Sequence, residues 1–404
     1  MALKRRAGLD EMAALGKRVF LRVDFNVPLL EDGGIRDDAR MRAGLPTIRE
    51  LIAKGAAVIV ATHLGRPKGR VQAALSTRPL AAHLGELLGA EVAWVPDCVG
   101  PVVEEAVGKL RPGQVMMLEN LRFHPEEEAN DPGFAQELSR LADLYVDDAF
   151  GSAHRAHAST EGIARFLPAY AGRLMAAELG QLGRILEDPA RPLVAVMGGS
   201  KLSGKLGLIN HLLPRVDVLC LGGAMAATFL RAEGLGVGRS LAEEGFVAEA
   251  REILGRAGGG SVRIVLPVDV VVAPGLDAVA TEVRTCAVAE IPDADMILDV
   301  GPATVSGWGE IVAGAGTVIW NGPLGVFENP LFAGGTRGLA QAIARSSAVS
   351  VTGGGDLQAA IEGMGLTAGF THVSTGGGAT LEFLEGVELP GVAVLMDARA
   401  RAGR

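Results

Sequence analysis

The sequence predicts an α/β protein with two doubly wound, parallel-sheet lobes joined by a hinge helix. Three observations predict it. Short apolar runs alternate with helix-like stretches along the whole chain, the signature of β-α-β units. Many of those runs are unbroken Val/Ile/Leu, as in strands covered on both faces. The chain has 404 residues, about two to three times a typical domain, so two cores are expected.

In order, the candidate strands of the first half are 19–25 (VFLRVDF), 56–62, 115–120 and 144–150. In the second half they are 192–198, 216–222, 263–273, 296–300, 317–322, 348–354 and 371–377. Asp38 to Lys54 reads as a helix, with acidic residues at its start and Gly55 at its end. The stretch 169–192 has leucines at helical spacing and Pro-containing turns at its close, so it reads as a helix bridging the lobes. Lobes over 1–170 and 189–388, with an interlobe helix at 171–188, follow.

Composition narrows the function. A net charge of −9 argues against nucleic acid as the main partner. Three widely spaced cysteines, Cys98, Cys220 and Cys286, suit a reducing cytoplasm better than a disulfide framework. The Lys/Arg-bearing start lacks the apolar segment of a secretory signal, and no apolar run is long enough to span a bilayer. Arginine outnumbers lysine 31 to 7, and beyond residue 170 the only lysines are Lys201 and Lys205. Both fall in one glycine-rich loop, which suggests a need for a compact ammonium there.

Polar residues gather just after the candidate strands, where open parallel sheets place their ligand crevice. The first half carries Asp24 and Asn26, then His63 and Arg66, then Arg122, then His154, Arg155 and His157. Guanidinium forks match phosphate and carboxylate oxygens two at a time, so this rim suits a dianionic phosphate on a small molecule. His63 is a candidate donor to phosphate, whereas His124 and His157 read as structural. The second half instead carries Gly198-Gly199-Ser200-Lys201, Gly222-Gly223, Gly301-Pro302, Asn321-Gly322-Pro323, Gly353-Gly354-Gly355-Asp356 and Gly376-Gly377-Gly378. Glycine runs leading into helices offer bare N–H groups to an anion. An acid beside such amides repels phosphate unless a metal intervenes, which makes Asp356 a candidate Mg²⁺ ligand.

Two generic motifs fail. Gly199 to Leu206 spells G-x4-G-K but has Leu206 in place of the metal-binding hydroxyl of a Walker A loop. Gly234 to Gly238 is not a G-x-G-x-x-G fingerprint, so a nicotinamide dehydrogenase is disfavoured.

Longer motifs are more specific. RVDFNVP (22–28), HLGRP (63–67), LENLRFH (118–124), DDAFGSAHRAHAS (147–159), GGSK (198–201), WNGPLGVFE (320–328), GGGD (353–356), STGGGATLEFLEG (374–386) and LPGVAVL (389–395) together resemble the phosphoglycerate kinase family. The resemblance implies two Rossmann-like lobes, hinge closure, and a C-terminal segment (389–404) that packs back on the first lobe. It implies that Asp24, Phe25, Asn26, Arg40, His63, Leu64, Gly65, Arg66, Arg122 and Arg155 hold 3-phosphoglycerate or 1,3-bisphosphoglycerate. Arg40, Lys201, Gly355 and Gly378 would serve the transferring phosphoryl group. Gly199, Lys205, Gly222, Gly223, Asn321, Glu328, Gly354, Gly355, Asp356 and Leu357 would hold ATP or ADP, with Asp356 on Mg²⁺ and Glu328 on the ribose. The loop at Gly301 would also line the nucleotide site. A cytoplasmic monomer acting on small molecules, with neither nucleic acid nor membrane as partner, is the accompanying expectation. The competing expectation is a degenerate regulator of the same fold that binds nucleotide or metabolite.

Three positions depart from the family pattern. Leu357 follows GGGD where Ser or Thr is usual; loss of a capping hydroxyl costs on the order of 1 kcal/mol. Ala224 stands where a third glycine is common, and Gly204 stands where a polar residue is more frequent. No charged group of the set is missing.

Overall fold

The computed structural model describes residues 6–30, 33–258 and 262–396. The chain forms two compact units. One runs to Gly180 and takes the chain back from Glu388; the other is Gln181–Val387.

The first unit is a six-stranded parallel sheet flanked by helices. Its elements are β1 (Arg18–Val23), α1 (Ala39–Ala53), β2 (Ala57–Ala61), α2 (Arg78–Leu88), β3 (Val92–Trp94), α3 (Pro101–Lys109), β4 (Val115–Met117), α4 (Pro125–Glu128), α5 (Pro132–Arg140), β5 (Leu144–Asp148) and β6 (Ala169–Ala171). The strand order is β3-β4-β2-β1-β5-β6. Val19, Leu21 and Val23 point from β1 into a core that also takes Val58 and Val60 of β2 and Met41, Leu45, Ile48 and Leu51 of α1. That α1 spacing of four, three and three is one helical stripe. The connection from β1 leads to one side of the sheet and β5 lies on the other, so the switch point sits at β1.

The helix α6 (Arg173–Glu187) begins only after β6. The expected helix 169–192 is thus shorter at both ends, because residues 169–171 are claimed by pairing with β5. Asp148, from the end of β5, accepts the N–H groups of Leu174 and Met175 at 2.8 and 3.1 Å and so caps α6. Arg173 reaches Asp10 and Glu50 through contacts of 2.6–2.8 Å.

The second unit contains β7 (Leu193–Met197), α7 (Leu206–Leu212), β8 (Val218–Leu221), α8 (Ala226–Ala232), α9 (Val247–Gly258), β9 (Arg263–Val265), β10 (Asp269–Ala273), β11 (Arg284–Ala287), β12 (Met296–Val300), α10 (Pro302–Ala313), β13 (Thr317–Asn321), α11 (Gly334–Arg345), β14 (Val349–Gly353), α12 (Gly355–Gly363), β15 (His372–Val373) and α13 (Gly378–Leu384). A parallel sheet has the order β15-β14-β13-β7-β8-β9, and a separate antiparallel sheet has the order β11-β10-β12.

This second sheet corrects the sequence reading. The expected strand 263–273 is two strands in two sheets, divided around Pro267, which has no N–H for a ladder. The expected strand 296–300 pairs antiparallel with β10. Its apolar run was real, since small cores cover both faces of the sheet: Val270 and Val272 enter one, Ala273 and Leu298 the other. Continuous burial does not encode strand direction. No helix among the described residues is long and apolar enough to cross a membrane.

Beyond α13 the chain returns to the first unit through α14 (Pro390–Ala393). Gly391 donates to the Ala153 carbonyl at 2.9 Å, Met396 to Ala169 at 3.0 Å, and Ala7 to Met396 at 2.7 Å. Leu389, Val392 and Leu395 are buried. Each such side chain contributes about 1.5–3 kcal/mol. Deleting residues 388–404 is therefore expected to lower the first unit's melting temperature by on the order of 10 °C, which differential scanning calorimetry reads directly. An unchanged melting temperature would contradict this packing.

Candidate active site

In the first unit the loops after β1, β2, β4 and β5 are tied to one another by side chains. Asn26 accepts the Gly65 N–H at 2.8 Å, joining the first two loops. Asn120 spends its whole amide on them: it accepts from Leu64 and Arg122 at 3.2 and 3.1 Å and donates to Leu64 and Leu75 at 2.7 and 2.9 Å. Arg122, itself buried, donates to the Gly65 carbonyl at 3.1 Å and lies 3.3 Å from Glu128. Asp24 pairs with Arg40 of α1 at 3.1 Å, while its other oxygen, Oδ1, is buried without a hydrogen-bond partner. Phe25 and Leu64 are buried beneath this rim.

The electrostatics show which cations converge. Burial holds the His63 imidazole well below its ordinary range, and the charges of Arg22, Arg122 and Arg40 hold it lower still. His157 is pushed down to about 3, by burial first and then by Arg122, Arg22 and Arg155. Arg122 is lowered by its own burial. Arg40, His63 and Arg122 are thus gathered, and Arg155 acts on the same field from an exposed position, donating to His154 at 3.1 Å. Arg66 is exposed, on the loop it shares with His63.

His124 packs elsewhere, bonded to Asp97 at 2.7 Å and stacked on Phe134. With Cys98 these residues form a compact Asp-Cys-His group. Its atoms already bond to one another or nearby, since the Cys98 thiol donates to the Glu119 carbonyl at 3.0 Å. Burial pushes that thiol well above its ordinary pKa.

In the second unit backbone packs on backbone. A Cβ on Gly198 would lie 2.2 Å from the Pro323 carbonyl oxygen, and one on Gly223 would lie 2.5 Å from the Gly199 nitrogen. The loops after β7, β8 and β13 close this tightly because no side chain intervenes. Gly198 donates to Asn321 at 2.8 Å, Gly199 to Pro323 at 2.9 Å, and Gly222 to Met197 at 2.8 Å. Asn321 is buried, accepts from the Lys205 ammonium and donates to the Gly353 carbonyl at 2.6 Å. Burial lowers the Lys205 pKa, against the opposing pull of Glu385 and Asp356.

Lys201 is exposed after β7, and Asp356 is exposed in the first turn of α12, beside Gly354 and Gly355. Gly378 opens α13, where the Ser374 and Thr380 hydroxyls meet at 2.5 Å and hold the preceding turn. Glu328 is exposed in the loop after β13. Gly301 leaves the antiparallel sheet rather than the parallel one. Its close approach to Asp269 serves a helix cap, in which that carboxylate accepts from Ala303 and Thr304 at 2.9 and 2.7 Å.

Leu357 resolves one departure. Its side chain is fully buried in the core with Trp320 and Ile361. Burying a leucine gains about 1.5–3 kcal/mol, more than the roughly 1 kcal/mol of a lost cap. The backbone of the first turn of α12 is retained.

The model of the family described as phosphoglycerate kinase matches residues 9–387. The chain belongs to the phosphoglycerate kinase family. The phosphoglycerate kinase of Moorella thermoacetica is 52% identical over 389 residues, 96% of this chain and 98% of that one. That of Roseiflexus sp. RS-1 is 54% identical over 385 residues, covering 95% and 97%. Among solved structures, phosphoglycerate kinase from Coxiella burnetii matches with a TM-score of 0.89 at 40% identity, covering 98% of this chain and all of that one. The Pyrococcus horikoshii enzyme matches with a TM-score of 0.84 at 36% identity, covering 96% and 98%. As a phosphoglycerate kinase family member the chain is a phosphotransferase with a carboxyl group as acceptor, and ATP/ADP is its co-substrate.

Sequence reasoning passed over Arg22, Glu127 and Ser159, which lie beneath the arginine rim. The available signal was an arginine inside an otherwise apolar strand.

Two predictions follow from these sites. Gly198→Val would drive side-chain carbons into the Gly322 and Pro323 carbonyls, and is expected to weaken ADP binding at least about tenfold, a loss of roughly 1.4 kcal/mol; isothermal titration calorimetry measures this. Asp299 is raised to about 7 by burial, although the Gly335 and Val300 N–H groups bond to it. Its folded state therefore holds the proton more tightly than the unfolded chain. The stability it confers is complete below about pH 4 and is lost as pH rises through about 7. Wild type is accordingly expected to lose a few kcal/mol relative to Asp299→Asn between pH 4.5 and 8. Parallel melts of both proteins across that range test the slope, and parallel curves would contradict it.

Proposed function

We propose that the chain carries out reversible phosphoryl transfer between 1,3-bisphosphoglycerate/ADP and 3-phosphoglycerate/ATP, with the acid on the arginine rim and the nucleotide on the glycine rim. The observation that carries the residue roles is the Asp24–Arg40 pair beside His63 and Arg122, with an unpartnered Asp24 Oδ1 available to a substrate hydroxyl. Arg66 and Arg155, exposed on the same loops, would close on the phosphate. Phe25, Leu64 and Gly65 shape the floor.

In the ATP-consuming direction the nucleophile is the acid's own carboxylate, ionised at neutral pH given a carboxyl reference pKa near ~3.5. No general base is required, which accounts for a site rich in cations and free of a catalytic dyad. Arg40 and Lys201 neutralise charge on the moving group, helped by N–H groups around Gly355 and Gly378. Gly199, Gly222, Gly223, Gly354 and Asn321 would line the nucleotide, Lys205 its phosphates and Glu328 its ribose. Asp356 fits Mg²⁺, being an exposed hard-oxygen donor beside phosphate-binding amides; the ion would supply charge neutralisation between nucleotide phosphates. In-line transfer also requires donor and acceptor to meet in a site that excludes water, which would otherwise hydrolyse the acyl phosphate.

The proposal includes a cytoplasmic location, supported by three unpaired thiols. It also includes a monomeric state, on family resemblance alone.

The deciding experiment is a coupled assay of ADP formation dependent on ATP, Mg²⁺ and 3-phosphoglycerate. Turnover abolished by EDTA and restored by Mg²⁺ is expected; nucleotide binding without turnover would favour a regulator. Arg40→Ala is expected to lower kcat by about 10²–10³-fold with a smaller change in KM. Lys201→Arg should also be costly, since a fork does not replace a point charge; equal turnover in either variant removes that residue from its role.

A further inference from the structure

Beneath the arginine rim lies a chain of buried polar groups that the reaction does not itself use. Arg22, in the middle of β1, is fully buried. Its Nε donates to the Ser159 hydroxyl oxygen at 2.9 Å, and its Nη1 to the Val23 carbonyl at 2.5 Å. Its Nη2 lies 3.1 Å from His63 Nδ1. The Ser159 hydroxyl in turn donates to Glu127 Oε1 at 2.6 Å, and the Ser159 N–H to Glu127 Oε2 at 2.9 Å. Glu127 is also fully buried, so a carboxylate and a guanidinium out of water are linked through one serine.

A guanidinium has donors only and no acceptor. The His63 nitrogen facing it must therefore offer a lone pair, and Nδ1 carries no proton. An imidazolium would set N–H against N–H and cation against cation. The neutral ring then carries its proton on Nε2, to which no described residue bonds.

We propose that Arg22 is a positioning residue that locks His63 in the neutral Nε2–H tautomer, making it a fixed hydrogen-bond donor to an anionic oxygen of the phosphorylated acid. This rests on the reading of the rim given above. The ring's neutrality agrees with its surroundings. Arg22 from β1, Arg40 from α1, Arg122 after β4 and His157 after β5 all face it, and burial with those charges disfavours protonation. Nothing is transferred through His63: it donates one hydrogen bond and keeps its proton. Orientation reaches it from three elements, because Arg22 stands on β1, donates to Ser159 of the segment after β5, and Ser159 donates to Glu127 of α4.

The test is ¹⁵N-imidazole NMR of the full chain, with the His63 signals assigned by their loss in His63→Gln. A protonated Nε2 and an unprotonated Nδ1, constant from about pH 5.5 to 8.5, are expected; free histidine titrates near ~6.5. A protonated Nδ1, tautomer-averaged shifts or titration within that window overturns the lock. In Arg22→Met the shifts should move to averaged values, and KM for 3-phosphoglycerate should rise about 10-fold or more, as for a lost bond to a charged group, with kcat less affected. Ser159→Ala frees the Arg22 Nε without emptying the core and should move the same signals less far, so a poorly folding Arg22→Met leaves the question answerable. Unmoved signals in folded variants overturn the role of Arg22. Saturating 3-phosphoglycerate should shift the Nε2–H resonance. A locked ring indifferent to that acid removes the donor function together with the reading of the rim, whereas a mobile tautomer with an intact substrate response removes the lock alone.

Discussion

The first rim depends on a charge held where water cannot reach it. Arg22 sits inside β1 among Val19, Phe20, Leu21 and Val23, and its burial is tolerable because Ser159, the Val23 carbonyl and His63 take its donors. Breaking one partner of such a set leaves an uncompensated charge and costs far more than a surface pair. The network therefore orients the loops as well as satisfying the arginine. Asn26, Asn120 and Arg122 then carry the order outward to the exposed arginines.

The second unit builds its rim from backbone rather than around a buried guanidinium. Its strand-end loops are brought together until main-chain atoms touch, which only glycine permits. The resulting surface presents N–H groups rather than side chains. Lys205, half-buried and held by Asn321, loses basicity through desolvation against the opposing pull of Glu385 and Asp356. On the proposed reading, one rim attracts an anion with guanidinium groups, the other with oriented amides and ammonium groups. A phosphorylated small acid and a polyphosphate nucleotide need that difference, because the former is recognised by shape-matched forks and the latter by many weak donors.

Most strands of the two parallel sheets were legible, because burial on both faces leaves an unbroken aliphatic record. The small antiparallel sheet was not. Val270 and Val272 are as apolar as any parallel strand, and direction of pairing leaves no mark on composition. The short β3, β6 and β11 escaped for a different reason: three or four residues hold too little pattern to stand out from a loop or a helix start. Within the candidate site, Asp24, Asn26, His63, Arg122 and Asn321 could be singled out from their place at or after strand ends. Glu127 and Ser159 were not, since their partners lie in other elements and neither belongs to a recognisable chemical pattern by itself.

The sequence by itself determined which chemical groups follow each strand, and the order of its motifs identified the family. It also showed that no charged group of the expected set was missing. Only the tertiary structure decided which atoms meet. Leu357 looked like a lost cap and became a core residue, because the helix turns that position inward. His63 read as a candidate donor to phosphate with its protonation open, and the fold disfavours its protonation, because it is buried and three arginines surround it. Side-chain chemistry is written in the chain, but protonation and direction are set by neighbours, and neighbours exist only once the chain has folded.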